Sequence, residues 1–269
     1  MNAEARYATE PTGPVNRLVL LGASNLTVSL RTVIELMQDR CGGPSDALVA
    51  AGHGRSYGRY SQVLIRGLPG ITSCGLWSHL DSVTTLPTYA LLTDIGNDIA
   101  YGYTPGQILK WVNWCVHRLQ RQTAKIVMTN VPIASIESLS ETHYRLIRTL
   151  FFPFSRLSRR ETINRTRLVH LGLRHIASEC NLQLFELEPI WFGADAIHIH
   201  YQKRKALFRH IVERLPATSD GRDSTADEAS QNATWRKRPQ FADRTVFGRE
   251  RHCPQPSGEL TDGTSVYLY

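Results

Sequence analysis

The sequence predicts a three-layer α/β domain, a doubly wound parallel sheet with helices on both faces, and three observations carry that reading. Strand-like and helix-like segments alternate between residues 15 and 215. The strand-like ones are short, nearly unbroken apolar runs, the pattern of strands buried on both faces. Alternation of this kind, under the right-handed crossover rule, leaves few topologies, and the doubly wound sheet is the simplest of them.

The first run, Leu18 to Leu21, breaks at Gly22 and passes through small and polar residues into Thr27 to Met37, whose apolar positions recur at helical spacing. That is a buried strand, a tight turn and a helix, which closes near Cys41-Gly-Gly-Pro44. Ala47 to Ala51 reads as the second strand, and residues 52–58 as a turn leading into a helix over Tyr60 to Arg66. Ile71 to Leu80 reads as a strand and Tyr89 to Ile95 as a clearer one. Thr104-Pro105 supplies the cap and first-turn proline of a helix running to about Gln122. Lys125 to Thr129 is a strand stopped by Pro132. A helical region broken at Pro153 follows, then a helix from Glu161 to Glu179, a short strand over Leu182 to Leu187 and a last helix from Tyr201 to Leu215.

With 269 residues, 42% of them apolar, the chain can bury a full core. Residues 1–14 read as a flexible N-terminal arm and 15–215 as one domain. Residues 216–269, rich in Ser, Thr, Asp, Gly, Gln and Arg with no period, read as a disordered tail. Its Trp235-Arg-Lys-Arg238 is a short basic cluster of the docking-peptide kind, although most such clusters have no partner. The first fourteen residues hold no apolar stretch like that of a signal peptide, and no later run has transmembrane length, so a cytoplasmic protein is the expectation. Five cysteines, widely spaced and without a Cys-x-x-Cys pair, argue against a disulfide framework or a zinc site. Free thiols are expected, and no metal or organic cofactor.

The net charge of +7 raises the question of anionic partners. Basic residues concentrate at Arg145, Arg148, Arg156, Arg159, Arg160, Arg165 and Arg167, among Tyr144, Phe151, Phe152 and Phe154. The reading preferred is the solvated side of helices covering a pocket, with no nucleic-acid partner expected.

Chemistry enters at the strand ends, where open parallel sheets place their ligands. Ser24 stands in the turn after the first strand, at a helix start, as a candidate nucleophile; the alternative is that Ser24 or Asn25 caps the helix. Gly54 follows the second strand, and a residue without a side chain lets a backbone N–H reach an oxyanion. Asn97, in Asp94-Ile-Gly-Asn-Asp98, is a neutral side-chain donor suited to the same task. Asp195-Ala-Ile-His198 precedes the last helix, and an Asp three residues before a His can hold the imidazole Nδ1, leaving Nε2 free to accept a proton. His200 is a rival base, and His198 is preferred for its spacing.

These four blocks, Gly22-Ala-Ser-Asn-Leu26, Gly54-Arg-Ser56, Gly96-Asn-Asp98 and Asp195-Ala-Ile-His198, resemble in kind and order those of the SGNH (GDSL) hydrolase superfamily. The resemblance implies Ser24 as nucleophile, His198 as general base, Asp195 as its partner, and an oxyanion hole from the Ser24 and Gly54 N–H groups and the Asn97 side chain. It implies a flavodoxin-like sheet as well. Ala23 stands where the family has Asp, Asn25 where it has Leu, and Ile95 where block three usually has its first Gly.

A competitor sits inside the second block, because Gly54-Arg-Ser-Tyr-Gly58 matches the Gly-x-Ser-x-Gly elbow and would make Ser56 the nucleophile of an α/β-hydrolase. Only one clear strand precedes the one leading into it, too few for that fold. A dinucleotide fingerprint nearly fits at Gly52 and Gly54, but the third glycine, Gly58, falls one position late. A catalytically silent binding protein on the SGNH fold remains the alternative from another class. The expected function is a serine esterase cleaving a carboxylic ester or thioester, its substrate a small-molecule, carbohydrate or lipid ester. The interval from Ile133 to Arg160 is expected to wall or cover an acyl site.

Overall fold

The computed structural model describes residues 13–153, 155–217 and 233–269. In chain order the elements are β1 (Asn16–Leu21), α1 (Ser24–Cys41), β2 (Ser45–Ala50), β3 (Ser61–Val63), β4 (Arg66–Leu68), α2 (Leu76–Ser82) and β5 (Thr88–Leu92). There follow α3 (Asn97–Ala100), α4 (Pro105–Gln120), β6 (Lys125–Thr129), α5 (Ile133–Ser138), α6 (Glu141–Phe151), α7 (Arg159–Glu179), β7 (Gln183–Phe185) and α8 (Arg204–Val212). The C-terminal region adds β8 (Trp235–Lys237), β9 (Asp243–Val246), β10 (Arg249–His252), β11 (Gly258–Leu260) and β12 (Ser265–Leu268).

The main sheet runs β7-β6-β5-β1-β2-β12-β11-β8, and its first five strands, all parallel, have the expected doubly wound order. Period-two alternation along these strands sorts their side chains to the two faces. Val19, Leu21, Leu48, Leu92 and Met128 pack with α2, α4 and α7, whereas Leu18, Leu20, Val49, Leu91 and Val127 pack with α1 and α8. Both sets are buried, which is why the strands read as apolar runs. The α4 start carries the expected cap, with the Thr104 hydroxyl accepting from the Gln107 N–H and the Gln107 side chain accepting from the Thr104 N–H.

Three expectations are corrected. Tyr60 to Arg66 is no helix: β3 and β4 form a hairpin turning at Leu64 (φ 54°), and β4 pairs with β9 in a second, antiparallel sheet ordered β10-β9-β4-β3. The partner strand that decides this lies about 180 residues away in sequence. Ile71 to Leu80 is a 3-10 turn at Ile71–Ser73 followed by α2, whose buried Leu76, Trp77 and Leu80 have helical spacing.

The third correction is the largest, because residues 233–269 are folded. β12 lies parallel to β2 with Val266 beside Ala47 and Leu268 beside Val49, and Leu260, Val266 and Leu268 join the core on the α1 face. No helical or alternating period marks this region because its strands are three or four residues long. The remainder of the expected tail, 218–232, and residues 1–12 of the expected arm lie outside the described residues.

All five cysteines are unpaired, and no helix among the described residues is long and apolar enough to cross a membrane.

Candidate active site

Ser24 is the first residue of α1, 8% exposed, and its hydroxyl caps nothing. The N-terminus of α1 is held from outside the helix. Asp94, just past β5 and in the left-handed region (φ 59°), accepts from the N–H groups of Ala23 (2.9 Å) and Leu26 (3.1 Å). A carboxylate there satisfies two donors that a helix start leaves orphaned and complements the helix dipole. Sequence reasoning named Asp94 only as part of its block.

Asn25 carries a second role that the sequence did not reveal. Its Nδ2 donates to Asp94 Oδ1 (2.9 Å) and to the Ile197 carbonyl (3.1 Å), and its Oδ1 accepts from the Ile199 N–H (2.9 Å). The side chain thus grips the backbone on both sides of His198 and ties it to the residue following Ser24.

His198 and Asp195 are paired as predicted, Nδ1 to Oδ2 at 2.7 Å. The other Asp195 oxygen accepts from the N–H groups of Ile197 (3.0 Å) and His198 (2.8 Å), a turn that the positive φ of Ala196 (57°) allows. Burial acts to raise the Asp195 carboxyl, but these hydrogen bonds from the His198 ring and the two N–H groups outweigh it and hold the group below the usual carboxylate range. The loop is pinned by the Phe192–Ile199 bridge and by Gly193 N–H donating to the His198 carbonyl (2.9 Å). The Phe151 ring lies 5.3 Å from the His198 ring, centre to centre. His200 instead is exposed, its N–H bound to the Trp191 carbonyl.

Gly54 sits in a turn at φ 66°, where an added Cβ would meet Val63 and the Tyr101 hydroxyl, so glycine is required. Neither its N–H nor that of Ser24 donates a hydrogen bond among the described residues. Asn97, at the start of α3, is buried, and its Nδ2 makes one long bond of 3.4 Å to the Arg55 carbonyl. The turn holding Gly54 is braced from two sides. Asp98 accepts from the Ser56 hydroxyl and from the Tyr57 N–H (2.9 Å). The fully buried Arg55 donates to the carbonyls of Ala51, Pro69 and, just past the last strand, Tyr269.

These bonds dispose of Ser56 as a nucleophile. It is fully buried, donates to Asp98, and accepts from the N–H groups of Gly58 (3.1 Å) and Arg59 (3.0 Å). It also lies ahead of a hairpin rather than a helix, so the elbow context is missing.

Ser24, Asn25 and Asn97 border an apolar cavity walled by Ile95, Val131 and Ile197 on one side and by Leu139, Ile147 and Phe152 on the other. The last three come from the 133–160 interval, so that segment walls the cavity, with Tyr144 anchored through its hydroxyl to the Leu157 carbonyl (2.9 Å) and to Thr162 (2.6 Å). Phe154, part of the same expectation, lies outside the described residues. Of the basic residues there, Arg148, Arg159 and Arg165 donate to backbone carbonyls, and Arg145 and Arg167 pair with Glu141 and Glu137. No Ser24–His198 hydrogen bond is formed. Among the described residues no three His, Cys, Asp or Glu side chains converge as a metal site would require.

No protein-family model matches the chain, and no curated protein matches its sequence. Solved structures do match in fold. The native aryl esterase of M. smegmatis superposes with a TM-score of 0.50 at 13% identity, over 74% of this chain and 97% of its own. A psychrotrophic esterase from Pseudoalteromonas sp. gives 0.46 at 13% identity, over 74% and 94%. A member of the lipolytic G-D-S-L family from Veillonella parvula gives 0.46 at 12%, over 73% and 96%. The aryl esterase superposition and the parallel order of the first five strands agree with the doubly wound fold that the four sequence blocks imply.

Proposed function

We propose that the chain is a serine hydrolase of the SGNH type that cleaves a carboxylic ester or thioester. The observation that carries this reading is the Asp195–His198 pair, whose loop is held by the side chain of Asn25, the residue after Ser24, beside an apolar cavity that Ser24 and Asn97 border. In this reading Ser24 Oγ attacks the acyl carbonyl while His198 Nε2 takes its proton, and Asp195 stabilises the imidazolium through Nδ1. The carbonyl oxygen, now an oxyanion, accepts from the Ser24 and Gly54 N–H groups and from Asn97 Nδ2. Collapse expels the alcohol or thiol, which leaves with the proton from His198. Water, deprotonated by His198, then releases the acyl group from Ser24.

The acyl portion occupies the apolar cavity. A silent binding protein on the same fold is the competing reading, and the missing Ser24–His198 hydrogen bond favours it. That bond is commonly long in the absence of substrate. A fluorophosphonate probe discriminates: stoichiometric labelling of Ser24, absent in Ser24→Ala and in denatured protein, supports the hydrolase. A folded protein that stays unlabelled at Ser24 contradicts it.

A further inference from the structure

A second recess flanks α1, and the reaction proposed above leaves it unused. One wall is α1 from Thr27 to Thr32, beginning one turn after Ser24, and another comes from the C-terminal region, including Trp235, Arg238 and Phe241. His53, next to Gly54, and Arg66 complete it. The His53 imidazole is lowered by burial and then by the charges of Arg66 and His198. Because Thr27 lies one turn after Ser24 and His53 directly precedes Gly54, the recess adjoins the Gly54 side of the proposed reaction centre, while Asn97 lines the apolar cavity.

Two cations in this recess, Arg66 and Arg238, are left without counter-charge among the described residues. Arg31 is occupied by Glu35 (2.6 Å) and the Ala233 carbonyl (2.9 Å). Arg66 is half-buried over the Phe241 ring, 5.0 Å from its centre, and faces the like charge of Arg244. Among the described residues the side chains of Arg66 and Arg238 make no hydrogen bond and no ion pair. Asp94, the carboxylate that acts on His53, is committed to the start of α1. A partly desolvated guanidinium without an acceptor is unfavourable, and a phosphate or carboxylate is the group whose geometry it fits.

We propose that this recess binds an anionic group, a phosphate or a carboxylate, carried on the leaving portion of the ester, so that the substrate class is an apolar acyl group joined to an acidic alcohol or thiol. This deepens, and rests on, the hydrolase reading. The acyl carbon forms its bond to Ser24 Oγ, the bond to the leaving oxygen or sulfur breaks, and that atom takes the proton from His198 and departs on the side of Arg66 and Arg238.

Two measurements on the full chain test it separately from the hydrolase reading. Phenyl phosphate and benzoate, neither of them a substrate, are titrated calorimetrically into wild type, Arg66→Gln and Arg238→Gln. Saturable binding of one anion is expected, weakened about tenfold or more by each substitution, as for loss of a charge-assisted bond, and weakened by salt. The stronger ligand names the anion. No saturable binding of either, or binding indifferent to both substitutions, overturns the proposal. Arg238 is exposed, so its variant keeps the test valid if Arg66→Gln misfolds. Hydrolysis of phenyl butyrate and 4-(butyryloxy)phenyl phosphate is then compared. A lower KM for the phosphorylated ester, abolished in the variants while the neutral ester is cleaved as before, is the expected result if phosphate is the anion. Failure to cleave the neutral ester in a Ser24-dependent way sinks the hydrolase reading, while the titration still decides the anion site.

Discussion

At the scale of single residues, Asn25 reaches three segments at once, Asp94 after β5 and the backbone of Ile197 and Ile199 around His198. Leucine, the residue the SGNH pattern has at this place, makes none of these bonds. Asn25→Leu is therefore expected to let the His198 loop drift and to lower kcat by up to about a hundredfold, the cost of a misplacement of about 1 Å, with KM changed far less. Steady-state kinetics on a p-nitrophenyl ester check this, and an unchanged kcat contradicts it. Asp195→Asn is expected to cost about a thousandfold or more in kcat. It also has a stability signature. A carboxyl held below its unfolded value contributes stability that is complete above the unfolded value, about pH 4, and is lost as pH falls through the folded value. The difference in unfolding free energy between wild type and Asp195→Asn should be flat above pH 4 and shrink below it. Ser24, Gly54, Asn97, Asp195 and His198 could be singled out in the sequence as candidates because each stands at a strand end or in a fixed spacing. Asn25 and Asp94 were not, because their roles exist only where separate loops meet.

Among the elements, the turn of residues 52–58 depends on Asp98. Its carboxyl is pushed up to about 6 by burial, partly offset by the bonds from the Ser56 hydroxyl and the Tyr57 N–H. Here the sign is opposite to that of Asp195: the folded state holds the proton more tightly, so stability falls as pH rises from about 4 to about 6 and is level above. Asp98→Asn should flatten that slope in urea unfolding between pH 4.5 and 7, and an unchanged slope assigns it elsewhere. The wall from α5 and α6 makes its own prediction. Phe152→Ala and Ile147→Ala enlarge the cavity, and the optimum along a series of p-nitrophenyl esters should move to longer acyl chains. Identical profiles before and after would separate the cavity from acyl binding. The elements read correctly are the long helices, such as α1 and α4, where periodicity has room to repeat, and the buried apolar strands of the parallel sheet. The hairpin of β3 and β4 was missed because its pairing is decided by β9, which the composition of the C-terminal region concealed.

The whole molecule is larger than the sequence suggested, since the C-terminal strands extend the sheet beyond β2 and send the Tyr269 carbonyl to Arg55 beside Gly54. Removing residues 216–269 should therefore expose the β2 edge and yield an unfolded or aggregating chain, where a disordered tail would be dispensable. The single substitution Leu260→Ala, at a fully buried position, should cost about 2–5 kcal/mol in urea unfolding. A truncated chain with unchanged melting contradicts the assignment. The central claim, that Ser24 is the nucleophile of an ester hydrolase, is tested most directly by the hydrolysis of p-nitrophenyl esters from acetate to decanoate by wild type, Ser24→Ala and Ser56→Ala, each verified as folded. Loss of about a thousandfold or more with Ser24→Ala, and residual activity tracking only the folded fraction with Ser56→Ala, is the result predicted. Activity that survives Ser24→Ala in folded protein contradicts the account.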